Sequence, residues 1–390
     1  MTNTVAMKPL KVGVVGCGMM ACGTHLPNIV RNPHLRLEWV CDSDAARAQA
    51  AGKEFGAARL TADYQDVLRD PAVDFVLLAT THSLRVEFIE AAVRHKKPVY
   101  VEKPMAGSAA EEEQVLRLVR ESGLPFCVGH NRRSAPAVKD ALAILDRLEA
   151  HPPVVPWRLD RNSDLRPPMP EEAQRMVLIR INDDVLSWKP WAFAEGAIIN
   201  EMTHFVDLAN LFMGRRQPCQ VAVMGSERMN FTLLIRYGDG SIATLAHSAV
   251  GTLDYPKELI EITCHGAMVA IDHLMEVRVM GIEGEPFRRT YPSPDPQART
   301  RETGIAAFYE STQQTVEERL KLRSNELFIG GPNKGHYAHL DQFARCVRGL
   351  DESPCDAEDG AQSTLLTLTA LDACRQGTTL PFGTERNRRP

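Results

Sequence analysis

At 390 residues, with 44% hydrophobic and 24% charged side chains, the chain has the make-up of an ordinary globular protein and exceeds what one hydrophobic core usually supports, so two domains are expected, 1–130 and 131–390. A formal charge of -5 offers nothing to nucleic acid or an anionic membrane, no apolar run approaches a bilayer span, and the start lacks a leader's apolar core, which points to the cytoplasm. Nine scattered cysteines without a Cys-x-x-Cys pair argue against a zinc site or a disulfide framework, and no metal is expected.

The first predicted strand, 10–15, is an apolar run interrupted only by Gly13, as for a strand covered on both faces. It leads into Gly16-Cys17-Gly18-Met19-Met20-Ala21, which fits Gly-x-Gly-x-x-Gly/Ala. In that pattern Gly16 permits the tight turn, Gly18 lets the backbone approach a pyrophosphate, and Ala21 leaves room for close helix packing. Phosphate oxygens would sit on the free N–H groups at the helix start, around Met19 and Met20. A second strand, 36–41, ends in Asp42, 26 residues after Gly16. A carboxylate there can accept both adenosine ribose hydroxyls and repels the extra phosphate of NADP, favouring NAD; alternatively Asp42 caps the helix entered through Ser43 and Asp44.

Strand patterns at 74–79, 98–101 and 126–128 alternate with helical patterns at 84–95 and 108–122, which indicates an α/β fold with a doubly wound parallel sheet. The strand reaching Ala79 continues into Thr80-Thr81-His82, a polar tip expected to face the cofactor. The run 98–101 ends in Glu102-Lys103-Pro104. Ligands of such sheets bind outside the carboxyl ends of the strands, so Lys103 is expected to point into a crevice, and Pro104 restricts it to extended geometry.

Residues 151–172 carry six prolines and clustered charges and read as a loop between domains. Strand-like runs at 176–181, 220–224, 230–237, 241–247 and 259–263 supply a second sheet, with Gly238-Asp239-Gly240 as a hairpin turn. Residues 196–214 have apolar positions at helical spacing and Gly214 as a stop; Asn200 and Glu201 fall four and three residues before His204, so all three can line one face. From 287 to 331 a Pro-rich segment precedes an amphipathic helix at 305–322, an insertion that either covers the site or joins a neighbouring subunit.

These segments together resemble the glucose-fructose oxidoreductase, inositol dehydrogenase and rhizopine catabolism group, written Gfo/Idh/MocA. The resemblance rests on 15–21 with His25, on 74–80, on Glu102-Lys103-Pro104, on Gly129 to Pro136, on Gly196 to Asp207 and on Asp239-Gly240-Ser241, and continues through Lys334 to His336, Arg348-Gly349 and Asp359-Gly360. It implies an N-terminal Rossmann domain and a C-terminal α/β domain whose large, mostly antiparallel sheet backs the substrate cleft and often forms the oligomer interface, as a homodimer or homotetramer. It also implies that Lys103 contacts the nicotinamide region and the reacting hydroxyl, and that His204, within its His-x-x-Asp pattern, is the acid/base group, a role a neutral imidazole suits.

The chain departs from the family at Asn200, where many members have an aspartate; an amide orients a hydroxyl but cannot stabilise a charged imidazole as a carboxylate does. Adjacent Glu201 either supplies that charge or supports from outside the site. Arg85 stands where members often have histidine, and Thr81 where proline is common. Polyol-binding candidates are Asn131 and Arg132 after the sixth strand, with Trp188, Lys189 and Trp191 before the histidine helix; Lys334 and His336 fit a second-domain contact or a helix start equally.

The reading that follows is an NAD-dependent oxidoreductase acting on a hydroxyl or carbonyl carbon of a sugar, sugar derivative or cyclitol. An NAD-retaining lyase, hydratase or glycosidase that uses transient oxidation would need the same residues. A dinucleotide-binding regulatory protein is the non-enzymatic alternative, supported by Asn200 and opposed by the retention of Lys103 and His204.

Overall fold

The computed structural model describes residues 7–150, 174–185, 196–322 and 329–383. The chain divides into two units, one of 1–134 with 335–365 and the other of 135–334 with 366–390. Residues 335–365 therefore return to the first unit, which a cut at a single residue does not capture.

In the first unit, six parallel strands are β1 (Leu10–Val15), β2 (Leu35–Cys41), β3 (Arg59–Thr61), β4 (Phe75–Leu78), β5 (Val99–Val101) and β6 (Phe126–Val128). Their order is β3-β2-β1-β4-β5-β6, the doubly wound arrangement that places a ligand crevice at the carboxyl ends where the order reverses beside β1. Helices α1 (Leu26–Arg31), α2 (Ala45–Phe55), α3 (Tyr64–Arg69), α4 (His82–Arg94) and α5 (Ala109–Ser122) alternate with the strands. β4, β5 and β6 are buried throughout, which is why they read as short apolar runs without alternation. α5 starts at an N-cap in which Ser108 Oγ accepts from Glu111 N–H at 3.4 Å, while Glu111 Oε2 accepts from Ser108 Oγ at 3.0 Å and from the Gly107 N–H at 3.1 Å.

The second unit begins with α6 (Pro136–Ala150) and contains a nine-stranded sheet ordered β14-β13-β12-β11-β7-β10-β9-β8-β15. Its strands are β7 (Met176–Asn182), β8 (Pro218–Gly225), β9 (Phe231–Tyr237), β10 (Ile242–Ser248), β11 (Glu258–Cys264), β12 (Ala267–Asp272), β13 (Glu276–Met280), β14 (Arg288–Thr290) and β15 (Leu380–Pro381). β7 and β10 pair in parallel, while the neighbouring pairs run antiparallel. The expected turn joins β9 to β10, with Gly240 N–H donating to Tyr237 O at 3.0 Å. One face of the sheet, carrying Val177, Ile179, Leu233, Ile235, Leu245 and Ile260, packs on α7 (Thr203–Met213), which is itself buried almost all round. The insertion helix is α8 (Ile305–Leu322).

The chain then passes back through α9 (His336–Val347) and α10 (Ala357–Gln376). Phe343 of α9 stacks edge-on to Phe75 and Tyr100, and Ala357 and Ala361 of α10 pack beside Val128. Among the described residues no helix is long and apolar enough to cross a membrane.

Candidate functional site

Gly16 follows β1 directly and has φ +95; a Cβ there would lie 2.6 Å from the Ala79 carbonyl oxygen. The turn thus closes against the end of β4 and admits no side chain. Gly18 differs, because a Cβ on it would meet nothing within 4 Å. The protein itself does not require glycine at that position, whereas close approach of a pyrophosphate to the backbone does. Met19 and Met20 start the helix and are exposed, and the following residues 21–25 form a π turn ending in buried His25.

Asp42 is placed as expected at the end of β2. Its Oδ2 accepts the Cys17 N–H at 2.8 Å and its Oδ1 accepts the Asp44 N–H at 2.9 Å. The helix-capping alternative goes instead to Asp44, which accepts from Ala46 N–H and Arg47 N–H at 3.0 and 3.4 Å. Each Asp42 oxygen keeps a lone pair for a ribose hydroxyl. Cys17, in the middle of the turn, stays a protonated thiol, its pKa pushed up to about 12 by burial and the Asp42 charge.

β5 ends at Val101, so Glu102-Lys103-Pro104 stands at a strand end as expected, and the Lys103–Pro104 peptide is cis. Glu102 is buried and lies 2.6 Å from His25 Nε2. Burial pushes its carboxyl up, but the His25 hydrogen bond and charge, with Arg85 and Lys103, outweigh that and hold it at about 2. Glu102 is thereby bonded to the π turn that ends at His25. Lys103 is half-buried beside it.

Arg85, the departure from the family pattern, is buried and binds two backbone carbonyls. Its Nε and Nη2 donate to Thr80 O at 3.1 and 2.7 Å, and its Nη1 donates to Pro104 O. Thr81 sits at the N-cap of α4 without a side-chain cap bond, and its Oγ1 is 3.4 Å from Ser83 Oγ. His82 opens α4, its ring against Gly107. Ala79, Thr80, Thr81 and His82 therefore cluster at the end of β4, beside the Gly16 turn.

Asn131 and Arg132 lie buried in a 3-10 turn after β6. The same turn is fixed from the returning segment: Arg133 reaches Asp359 at 2.5 Å, and Ser134 Oγ is 2.9 Å from His339 Nδ1. His336 is the first residue of α9, which assigns it to the helix start.

In the second unit, 196–214 is not one regular helix. Residues Ile198–Met202 form a π turn, and α7 begins at Thr203. The wider turn alters the angular spacing between Asn200, Glu201 and His204, so the single-face geometry expected of an α-helix does not apply. Asn200 Nδ2 donates to Gly196 O at 3.2 Å. Glu201 Oε1 is 2.8 Å from Lys257 Nζ, which is also 2.7 Å from Asp183 Oδ2. His204 is buried in the first turn of α7. At the other end of α7, Arg175 donates to Phe212 O and Arg216 to Met213 O at 3.1 Å, placing positive charge at the helix C-terminus. Trp188, Lys189 and Trp191 lie outside the described residues.

Sequence reasoning noted Arg85 only as a departure and missed Glu112, Lys257, Asp183 and His247. The last was traceable, since it follows Ala243 and Leu245 in the inward alternation of β10. Its pKa is lowered by burial, and Nδ1 lies 3.1 Å from Met229 O. Glu149, Cys264 and His265 are close enough to share a cation, but Arg175 and Arg216 already engage Glu149 at 2.5 and 2.8 Å, which disfavours one.

A glycine turn on a 3-2-1-4-5-6 sheet, with an acid at the end of β2, defines a dinucleotide-binding α/β protein, here joined to a unit built on a mixed nine-stranded sheet. The chain belongs to the Gfo/Idh/MocA oxidoreductase family. Residues 10–130 match its NAD-binding Rossmann fold and residues 171–382 its C-terminal alpha/beta domain. An uncharacterized oxidoreductase, YrbE, of Bacillus subtilis is 23% identical over 95% of this chain and 96% of its own. D-apiose dehydrogenase of Rhizobium rhizogenes is 25% identical over 71% of this chain and 78% of its own. The structure of scyllo-inositol dehydrogenase from Lactobacillus casei with bound NAD(H) and scyllo-inositol shares the fold, with a TM-score of 0.68 and 16% identity over 96% of this chain and 99% of that one.

Proposed function

We propose that the chain catalyses NAD-dependent oxidation or reduction at a hydroxyl or carbonyl carbon of a sugar, sugar derivative or cyclitol. The observation that carries this reading is Lys103, two residues beyond β5 at the carboxyl edge of an NAD-binding sheet. The relatives named for D-apiose and scyllo-inositol supply the substrate class.

Bound NAD supplies the hydride acceptor or donor. Gly18 and the helix start receive the pyrophosphate, and Asp42 takes the ribose hydroxyls and disfavours NADP. Lys103 stabilises negative charge developing on the reacting oxygen. His204 takes or returns that oxygen's proton. Asn200 donates to Gly196 O and Glu201 pairs with Lys257, so a neutral amide stands where an aspartate would stabilise the protonated imidazole of His204. Asn131 and Arg132 offer polar contacts to the polyol.

Exposed Met176, Met224, Leu234, Ile242 and Met280 all lie on the sheet face opposite the core, which supports a homodimer or homotetramer formed through that face in the cytoplasm.

Purified protein incubated with NAD and a panel including scyllo-inositol and D-apiose is expected to accumulate reduced nicotinamide. Substrate consumption without net cofactor change points to the NAD-retaining chemistry instead, and NAD binding without any turnover points to a regulatory protein.

A further inference from the structure

We propose that Arg85 and Glu112 are positioning residues for Lys103, gripping from two helices the segment 104–106 that follows it. The inference rests on the catalytic reading of Lys103 given above.

β5 ends two residues before the lysine, and Glu102 N–H donates to Leu78 O at 3.0 Å at the edge of the ladder. Pro104, lacking an N–H, cannot be fixed through a donor. Its carbonyl and the N–H of Ala106 remain as handles, and each is taken by a buried charged-type side chain. Arg85 of α4 donates to Pro104 O, and Glu112 of α5 accepts the Ala106 N–H at Oε1, 2.7 Å away. The two partners are of opposite polarity and hold opposite backbone groups. Met105, between the two held residues, is fully buried, as is Ala106.

The same guanidinium holds Thr80 O through Nε and Nη2 at 3.1 and 2.7 Å. One planar fork therefore ties the loop after β4 to the loop after β5, the two loops that bear Thr80 and Lys103. Lysine at position 85 could place a single ammonium near one carbonyl but cannot reproduce the fork. Both groups are buried, Arg85 at 6% and Glu112 at 0% exposure, and a guanidinium kept dry to hold two carbonyls suits a site where small misplacements of a reacting group cost rate.

The test compares R85K, E112A and E112Q with K103A in the full-length protein, measuring kcat, KM for the polyol, NAD affinity and the thermal midpoint. R85K and E112A are expected to lower kcat about 10- to 100-fold; NAD affinity changes by less than about threefold in E112A, which leaves the Gly16 turn, Thr80 and Asp42 untouched, and falls further in R85K, which also releases Thr80 O. E112Q keeps an oxygen for the Ala106 N–H and is expected to recover most of the kcat that E112A loses, which general destabilisation would not produce. The proposal is overturned if folded R85K and E112A keep kcat within about twofold while K103A abolishes turnover, or if E112Q loses as much kcat as E112A. Wild-type turnover by K103A would instead sink the reading of Lys103 itself.

Discussion

Lys257 and Glu201 form an ion pair at 2.8 Å, on a strand lead-in and on the π turn that precedes the histidine helix. Lys257 also holds Asp183 at 2.7 Å, so one ammonium serves two carboxylates, all three with less than a fifth of the side chain exposed. Replacing Lys257 with Met leaves both acids without their cation, and a loss of about 3 kcal/mol in urea denaturation is expected. Glu201→Gln removes one acid and keeps the other pair, so its cost is expected to be about 1 kcal/mol. Equal costs for the two variants would show that the lysine is not shared.

Asp42 already accepts two backbone N–H groups and is argued to accept ribose hydroxyls as well. Asp42→Ala is expected to weaken NAD binding by about 10- to 100-fold, the equivalent of a lost charged hydrogen bond. NADP binding should not fall with it, since the repulsive charge is gone. Titration calorimetry with both nucleotides checks this; a parallel loss for the two would remove Asp42 from the account of cofactor choice.

Much of the first unit is legible in the sequence because its strands are buried on both faces: the apolar run 10–15 is β1 to the residue. β3 is three residues of mostly exposed side chain at the sheet edge and gives no such signal. β12 and β13 are hidden for another reason. The turn between them uses His273 and Leu274 at φ 49 and 57, where glycine or asparagine would have announced it. The π turn at 198–202 satisfies the same apolar spacing as an α-helix, so its register change is invisible. Gly16, Asp42 and Lys103 were readable because each follows a strand. Arg85 on Pro104 O, Glu112 on Ala106 N–H and Lys257 on Glu201 join residues that no spacing rule connects.

The Glu102–His25 pair gives the protein an acid limit. Glu102 is lowered from 4.5 to about 2, so its contribution is complete above its ordinary pKa and is lost as pH falls from there through the folded value. Wild-type stability is expected to drop by about 3 kcal/mol across that interval on this account alone. Glu102→Gln should flatten the drop; an unchanged acid limb in the variant would assign it elsewhere.

Glu112 acts in the opposite sense. Burial raises it from 4.5 to about 8, against the pull of the Ala106 N–H, Thr364 and Arg85, with Glu111 adding to the rise. The folded state then binds the proton more tightly than the unfolded one, so stability is whole at acid pH and declines as pH rises through about 8. Glu112→Gln should remove that decline, gaining about 5 kcal/mol on the wild type at alkaline pH relative to acid. Parallel stability curves for the two proteins would refute it.

Hydride transfer from the substrate carbon to NAD is the central claim, and isotope tracing tests it most directly. The enzyme is incubated with NAD and a polyol that supports turnover, deuterated at its hydroxyl-bearing carbons, and the recovered nucleotide is analysed by mass spectrometry. One deuterium per reduced nicotinamide formed is expected. Product formed with deuterium retained on the polyol or released to water, and none accumulated in the nucleotide, would contradict the account.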